Sequence, residues 1–237
     1  MKRYDAVIIG AGHNGLTNAA YLAKAGLDVV VVEKNDYIGG AAVSRELHDG
    51  FTYSNCSYVC SMMRQAIHRD LDLSNHGLML VPYIGGIYFG DDGTCMAGYL
   101  NEEVEYNNLR ARSPHDADAR ARFYADLARY AQVIRKTLMR TPPDPTSFKP
   151  RDLMELLFLA KEFWSLGEKE IYEYVRFFTM SAKDFLDDYF EDDLLKATLA
   201  SSGIIGTALG VQSPGSAYIL LHHVMGDVDG NVGAWGL

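Results

Sequence analysis

The sequence predicts an α/β protein that begins with a Rossmann-like β-α-β unit and continues into a mainly helical α+β region. Three observations lead to this prediction: a glycine turn directly after a short apolar run, a valine-rich run that ends in an acid, and helical periodicity after residue 113. The chain has 237 residues, of which 48% are hydrophobic and 22% charged, as in ordinary globular proteins.

Charge and hydropathy narrow the range of functions. The chain carries 31 acidic and 22 basic residues, a net charge of -9, which disfavours a nucleic-acid partner. No apolar run approaches the ~18 residues of a membrane span. The first apolar run begins at Tyr4 and leaves no room for a signal peptide. We therefore expect no transmembrane segment and a cytoplasmic protein, with the mitochondrial matrix as the alternative if the source is eukaryotic.

The three cysteines, Cys56, Cys60 and Cys95, form an odd set without the spacing of metal ligands. We expect small buried hydrophobic side chains, since free cysteine is usually buried. A disulfide framework is not expected in a reducing compartment, and no metal site is predicted.

The N-terminal elements follow one another as strand, turn, helix and strand. Residues 4–9 read as a buried strand, and residues 10–15 form a complete G-x-G-x-x-G turn. A second buried strand covers residues 28–33. Between them, apolar residues repeat at helical spacing up to Gly26: Leu16, Ala19, Ala20 and Ala23.

Each glycine of the turn has a separate structural role in a dinucleotide-binding fingerprint. Gly10 permits the tight turn, Gly12 lets the backbone approach a pyrophosphate, and Gly15 lets the helix pack closely on the strand. His13 and Asn14 stand where the helix begins, and its free N–H groups would face a diphosphate. The turn therefore predicts a dinucleotide site.

An acid ends the second strand at the distance from the turn that this fingerprint requires. Glu33 can accept hydrogen bonds from both ribose hydroxyls of an adenosine, and its charge would repel the 2′-phosphate of NADP. The alternative is a glycine turn that serves packing alone, and it leaves the position of Glu33 unexplained.

A second glycine pair favours FAD over NAD. Glu33 is followed after five residues by Gly39 and Gly40, which resembles the extended fingerprint of two-dinucleotide-binding-domain flavoproteins. In those proteins the pair lets the backbone pass the FAD diphosphate and ribityl chain. The alternative is a surface turn. We predict FAD as the cofactor, with Gly39, Gly40 and Ala41 along its middle and Lys34 beside the adenine.

Two longer segments carry a family resemblance. Residues 10–46 resemble the start of the phytoene desaturase and carotenoid isomerase group of FAD-dependent oxidoreductases. Residues 194–236 resemble its pyridine nucleotide-disulphide oxidoreductase domain-containing subgroup. The resemblance implies a Rossmann-like FAD-binding domain, incomplete and represented by its N-terminal part at residues 1–77. Residues 78–237 would be the inserted substrate domain, α+β and mainly helical after 113.

The same resemblance implies an enzyme that transfers a hydride between flavin and an apolar or unknown substrate, without assigning any catalytic side chain. Relatives are about twice as long, so the chain would correspond to their N-terminal half. The alternative is a truncated FAD-binding fragment or regulatory module without activity of its own. Expected partners are an apolar small molecule and either a second copy or a complementing C-terminal chain, and peripheral membrane contact stays open.

We do not expect this chain to use the redox-active disulphide to which the subgroup's name refers. Redox-active disulphide flavoenzymes typically have four residues between their two cysteines, soon after the glycine pair. Cys56 and Cys60 are separated by three residues and lie elsewhere, so we expect no dithiol mechanism.

The remaining chain is predicted as a hairpin followed by helices. Residues 78–99 flank an Asp-Asp-Gly turn at 91–93, a strand-turn-strand signal. Ser113 and Pro114 provide a cap and a first-turn proline for a helix. One face of that helix is apolar and consists of Phe123, Leu127, Tyr130, Ile134 and Leu138.

A proline-rich stretch separates this helix from a helical subdomain. Pro142, Pro143, Pro145 and Pro150 predict an extended connector. Further helices are expected over about 168–179, 182–190, 193–203 and 214–225.

An apolar face follows the connector and is interpreted as part of the core, with a lipid surface or a hydrophobic entrance as the alternative. It comprises Met154, Leu157, Phe158, Phe163 and Trp164. The pair His222 and His223 lies in an apolar helix, where we expect a packed structural role, a substrate cavity being the alternative.

Overall fold

The computed structural model describes most of the chain as two compact units. The described residues are 2–83, 85–98, 101–228, 231–233 and 236. Residues up to 83, together with those described from 227 onward, form the first unit, and residues 85–98 and 101–226 belong to the second. This grouping does not test the functional division into 1–77 and 78–237, which stays a prediction.

The regular elements are numbered in chain order. The strands are β1 (Ala6–Ile9), β2 (Val29–Val32), β3 (Ser44–His48), β4 (Phe51–Ser54), β5 (Ile87–Phe89), β6 (Cys95–Ala97), β7 (Asp227–Val228) and β8 (Asn231–Val232). The helices are α1 (His13–Lys24), α2 (Gln65–Asp70), α3 (Glu102–Arg112), α4 (Pro114–Arg135), α5 (Pro150–Trp164), α6 (Glu168–Thr179), α7 (Ala182–Asp187) and α8 (Asp193–Ala200). Short 3-10 helices cover Gly40–Ala42, Ser201–Gly203 and Ser216–His223. Among these described elements, no helix is long and apolar enough to cross a membrane.

The first unit opens with the predicted β-α-β unit. Strands β1 and β2 pair in parallel, from Ala6 opposite Val29 to Ile9 opposite Val32, and α1 connects them. One apolar residue, Ile8, faces α1 where Gly15 comes close. This arrangement confirms the predicted order of strand, turn, helix and strand.

The prediction that both strands are buried was wrong. Half-buried and exposed residues alternate along β1, where Val7 is 59% exposed and Ile9 is 88% exposed. On β2, Val32 is 46% exposed. A parallel strand becomes buried on both faces only when helices cover both sides of its sheet. In the part of the chain that the structure describes, α1 lies against this pair and the other face stays open.

Two further hairpins complete the first unit. Strands β3 and β4 pair antiparallel, with an irregular register between Glu46 and His48. The sequence of residues 51–54 predicts a short strand, which β4 confirms, whereas β3 was not predicted. Strands β7 and β8 also pair antiparallel, and Gly236 exchanges two backbone hydrogen bonds with Cys60, of 2.7 and 3.0 Å. The described residues near the C-terminus therefore belong to the first unit.

The second unit contains the predicted hairpin and a helical core. Strands β5 and β6 pair antiparallel around the turn at 91–93. Ser113 caps α4 through a hydrogen bond from the Asp116 N–H to its Oγ (3.3 Å), and Pro114 is the first residue of the helix, as predicted. The buried face of α4 meets α6 and α7, where the rings of Tyr130 and Phe177 stack at 4.4 Å. The aromatic core consists of Phe123, Tyr130, Tyr174, Phe177, Phe185, Tyr189 and Phe190.

Several predicted boundaries differ from the structure. The helix at 168–179 is confirmed, but α7 and α8 end earlier than predicted, and the last expected helix is a 3-10 helix over Ser216–His223. Helices α2 and α3 were not predicted. Pro150 begins α5 and is not part of the connector, because the first helical position needs no N–H donor.

Two predictions of burial were also wrong. Four of the five residues predicted for the core face of α5 are exposed, Met154 and Leu157 at 69%, Phe163 at 41% and Trp164 at 88%, and Phe158 is half-buried. Cys56 and Cys95 are exposed and Cys60 is half-buried, so the cysteines are not packed in a core; each of them is a free thiol. Burial raises the pKa of the Cys60 thiol. Apolar character alone does not fix burial, because packing depends on which elements meet.

A buried carboxylate joins the start of α4 to the loop between α7 and α8. The Asp116 side chain is fully buried and accepts hydrogen bonds from the N–H groups of Glu191 and Asp192, both at 2.8 Å. Burial by itself would raise the pKa of Asp116, but hydrogen bonds from His115 and these two backbone groups lower it overall. The carboxylate thus satisfies two loop N–H groups that would otherwise lack a partner.

We predict that Asp116→Ala lowers the free energy of unfolding by about 2–4 kcal/mol, since it leaves buried donors unsatisfied. Asp118→Ala, on the exposed side of the same helix, is the matched control and should cost less than about 1 kcal/mol. Urea unfolding followed by circular dichroism measures both. Equal losses in the two variants would contradict this account of Asp116.

His223 is the buried member of the histidine pair. It is 7% exposed, and burial, with a smaller contribution from charge on His222, lowers its pKa from 6.5 to about 4. The burial agrees with the packed role expected from the sequence. Because the unfolded state binds the proton more tightly, the stability from neutral His223 is present above pH 6.5 and is lost as the pH falls toward 4.

We therefore predict that His223→Gln flattens the pH dependence of unfolding. Between pH 7 and pH 4.5 the wild-type chain should lose on the order of 2 kcal/mol more stability than this variant. Parallel urea titrations at several pH values measure the difference. Identical pH profiles for the two proteins would show that His223 is not held in its neutral form.

Candidate dinucleotide-binding site

The glycine turn lies between the end of β1 and the start of α1. Gly10 has a φ of 99°, a conformation that favours glycine, and its N–H donates to the Val32 carbonyl at 2.7 Å. Gly12 is the N-cap of α1 and makes no side-chain cap, and the first turn of the helix contains no acid. The helix therefore presents its N-terminal N–H groups without a side chain in front of them, which suits an anion.

The second glycine pair packs directly on the first turn. The Gly39 N–H donates to the Ala11 carbonyl at 2.8 Å, and Gly12 and Gly39 form an isolated parallel bridge. Gly40 has a φ of 59°, and a Cβ there would lie 2.9 Å from the Gly12 Cα. Both segments that the sequence predicted to border a cofactor therefore lie side by side.

The fold leaves room for a side chain at Gly12 but not at Gly15. A Cβ on Gly15 would lie 2.1 Å from the Gly10 carbonyl oxygen, so the fold itself requires glycine there. A Cβ on Gly12 would have its nearest neighbour, the Gly40 Cα, at 3.8 Å, an ordinary contact. Nothing in the described structure excludes a side chain at Gly12, and the space in front of it fits the close approach of a diphosphate.

Glu33 lies beside the turn and is held by three hydrogen bonds. Its Oε2 accepts from the Ala11 N–H at 2.7 Å, and its Oε1 accepts from the backbone and side-chain amides of Asn35, both at 2.9 Å. The backbone hydrogen bonds from Asn35 and then Ala11 lower the pKa of this carboxyl. Glu33 is thus an ionised acceptor at neutral pH, oriented toward the turn.

Asn35 and Ala11 were missed as positioning residues by the sequence reasoning. An asparagine two residues after an acid is too common to predict a site, although asparagine side chains often form hydrogen bonds with groups nearby in the chain. A backbone N–H carries no sequence signal, so the role of Ala11 depends on the geometry of the turn.

The other predicted site residues surround this junction. His13 and Asn14 are the first residues of α1 and are exposed, and Ala41 is exposed in the 3-10 turn after Gly39. Lys34 follows Glu33 and is exposed. Its position beside an adenine stays a prediction, as do the cofactor contacts of the other residues.

Comparison with known proteins finds the same kind of domain in this part of the chain. Residues 8–69 match the family model of an NAD(P)-binding Rossmann-like domain. The chain is 38% identical over 98% of its length to pyridine nucleotide-disulfide oxidoreductase domain-containing protein 2 of Mus musculus, and covers 42% of that protein. A stretch of 36 residues, 15% of the chain and 6% of the relative, is 63% identical to a phytoene desaturase of Neurospora crassa.

A solved structure shares the fold. A triple mutant of putrescine oxidase superposes with a TM-score of 0.56 at 19% identity, covering 93% of this chain and 41% of that one. At this identity the likeness concerns the fold alone. These comparisons confirm the predicted resemblance and the Rossmann-like α/β fold, whereas the chain spans less than half the length of the curated relative from Mus musculus.

We predict opposite behaviour for two alanine substitutions in the turn. Gly15→Ala should destabilise the fold by about 1–3 kcal/mol, because its methyl group meets the Gly10 carbonyl. Gly12→Ala should cost at most about 1 kcal/mol, because alanine is a poorer N-cap than glycine, and weaken FAD binding about tenfold or more. Denaturant unfolding and a fluorescence titration with FAD measure the two effects.

The two variants serve as controls for each other, since they add the same methyl group three residues apart. If Gly12→Ala destabilised the fold as much as Gly15→Ala, Gly12 would serve packing. If Gly12→Ala bound FAD like the wild type, the assignment of the turn to the diphosphate would be wrong.

Proposed function

We propose that the chain is the dinucleotide-binding part of an FAD-dependent oxidoreductase, in which a hydride passes between the flavin and an apolar substrate. The observation that carries this proposal is the junction of three segments. The Gly10–Gly15 turn, the carboxylate of Glu33 and the pair Gly39 and Gly40 converge through direct hydrogen bonds and backbone contact.

The second glycine pair supports FAD over a nicotinamide cofactor. Gly39 and Gly40 lie against the Gly10–Gly15 turn and enlarge the backbone surface there that carries no side chains. Their positive φ angles, 115° and 59°, hold this segment in conformations that other residues rarely adopt. Such an extended glycine surface matches a cofactor whose long middle must pass close to the backbone.

The roles of the protein in this site are binding and orientation. The N-terminus of α1 would stabilise the negative diphosphate, with Gly12 letting it approach. The ionised Glu33 would accept hydrogen bonds from the adenosine ribose. When bound, FAD supplies the redox chemistry by accepting or returning a hydride.

Most hydrogen-bond acceptor positions of the Glu33 carboxylate are already occupied by groups of the protein. A carboxylate offers about four acceptor positions, and Ala11 and the two amides of Asn35 already occupy three. Two ribose hydroxyls therefore need one of these bonds to give way. The Asn35 side chain is the group free to rotate, so we infer that it moves when the ribose binds.

A second candidate is an FAD-binding module that has no turnover of its own. The exposed sheet face favours it, because Val7, Ile9 and Val32 present apolar side chains that a complete doubly covered sheet would bury. Such a module would bind FAD and need a second chain or segment for catalysis.

The visible absorption spectrum tests these functions. We expect the purified chain, after incubation with FAD and gel filtration, to show bound flavin that bleaches under a reductant. Flavin that binds and bleaches but is not reduced by any tested apolar substrate would support the module without turnover. A colourless protein that retains no FAD would contradict both.

The contribution of Glu33 can be measured separately. We predict that Glu33→Gln weakens FAD binding about 10- to 100-fold, since it replaces a charged acceptor. Asp36→Asn, which removes an exposed carboxylate three residues later, is the matched control and should bind FAD like the wild type. Full FAD affinity in Glu33→Gln would show that the ribose is held elsewhere.

A further inference from the structure

Helix α5 presents large apolar side chains to solvent, against the expectation of a core face. Trp164 is 88% exposed, and Met154 and Leu157 are each 69% exposed. Just before the helix, Phe148 is 90% exposed. We call the exposed set formed by Phe148, Leu153, Met154, Leu157 and Trp164 the apolar ridge.

The ridge follows helical geometry. Leu153, Leu157 and Lys161 are spaced by four residues, and Trp164 follows by three, so these positions share one face. Lys161 lies within this row, where its apolar stem can run beside the leucines while its ammonium stays in water. A tryptophan at the end of such a row combines a large apolar body with a polar N–H, which suits an interface between water and lipid.

The acids of α5 are turned away from the ridge. Glu155 pairs with Arg140 at 2.7 Å, and Glu162 forms an ion pair with Lys136. Both acids are only about a fifth exposed, their side chains at 20% and 19%. The partners Lys136 and Arg140 follow the end of α4, so these pairs tie the acidic side of α5 to the segment after α4.

The third acid of the helix is held in a similar way. Asp152 accepts a hydrogen bond from the Asp144 N–H at 3.3 Å. A hydrogen bond from Ser147 and then this backbone bond lower the pKa of its carboxyl. Asp152 is therefore engaged with the connector that precedes α5.

Basic residues stand on the exposed side instead. Lys149, Arg151 and Lys161 are all exposed, two of them beside Phe148 at the start of the ridge. The helix thus separates its charges, with acids paired inward and cations beside the apolar side chains. An apolar face bordered by cations is the pattern of a helix that lies in an anionic membrane surface.

We propose that the apolar ridge of α5 binds the surface of an anionic lipid membrane, with Trp164, Leu157 and Phe148 inserted among the acyl chains. Lys149, Arg151 and Lys161 contact the headgroup phosphates. The net charge of -9 does not prevent this contact, because charges farther than about 10 Å from the headgroups are screened at physiological salt. The proposal concerns where the chain binds and does not depend on the FAD site.

The test uses the purified chain and lipid vesicles without FAD. The sequence contains two tryptophans, Trp164 and Trp235, so a Trp235→Phe background lets Trp164 report alone. We expect its emission to shift to the blue with vesicles of phosphatidylcholine and phosphatidylglycerol, and the chain to sediment with them. Vesicles of phosphatidylcholine alone should bind the chain weakly, and added salt should weaken binding to the anionic vesicles.

Variants separate the apolar and charged contributions. Leu157→Glu should abolish sedimentation, and the double variant Lys149→Gln with Arg151→Gln should weaken binding roughly tenfold or more. Phe89→Glu, at a side chain 77% exposed on β5, is the matched control and should bind like the wild type. Unchanged thermal unfolding of Leu157→Glu shows that the exposed side chain was not needed for folding.

Several results would overturn the proposal. One is the absence of a blue shift and of sedimentation with anionic vesicles. Another is equal binding by Leu157→Glu and the wild type. A third is concentration-dependent self-association in solution that Leu157→Glu abolishes, since the ridge would then be an interface between two copies of the chain.

Discussion

The candidate site depends on one hydrogen bond, the 2.7 Å contact from the Ala11 N–H to the Glu33 carboxylate. It joins the turn after β1 to the residue that follows β2, across two strands that are otherwise held by ladder hydrogen bonds. Beside it, the Gly10 N–H donates to the Val32 carbonyl. Together these bonds fix the distance between the helix N-terminus and the acid, which is the distance that a nucleotide would have to span.

Gly39 and Gly40 form a third segment that is fixed to the same turn by a hydrogen bond. The Gly39 N–H binds the Ala11 carbonyl, so Ala11 donates to Glu33 and accepts from the second glycine pair. A single residue of the turn thus organises both neighbours. A side chain on Gly40 would collide with Gly12, so the close approach of the two segments requires glycine at position 40. The backbone, with few side chains, shapes this site.

The sequence predicted this junction well because its signals are local and steric. Gly15 cannot be replaced without a clash with the Gly10 carbonyl, and such a requirement is visible in the spacing alone. The hydrogen bonds of Asn35 and Ala11 were not predictable, since they depend on rotamers and backbone directions. The strand β3 was also missed. All five of its residues are exposed, and its sequence, Ser-Arg-Glu-Leu-His, is mostly polar and lacks the alternation of apolar and polar residues that predicts a strand.

The errors about burial have one physical origin. The apolar runs of β1 and α5 were read as core, yet Ile9 and Trp164 are both 88% exposed. Periodicity shows which residues share a face, but it cannot show which element covers that face. On α5, Glu155 and Glu162 pair with Arg140 and Lys136, so the acidic side of the helix faces the segment after α4 and the apolar side is left exposed.

The most direct test of the central claim is a titration of the isotopically labelled chain with FAD, followed by amide NMR. The account predicts that the largest shifts fall on the amides of residues 10–15, 33–35 and 39–41, with the Asn35 side-chain amide among them. Shifts confined to residues 85–226, or no shifts at saturating FAD, would contradict the assignment of the glycine junction as the cofactor site.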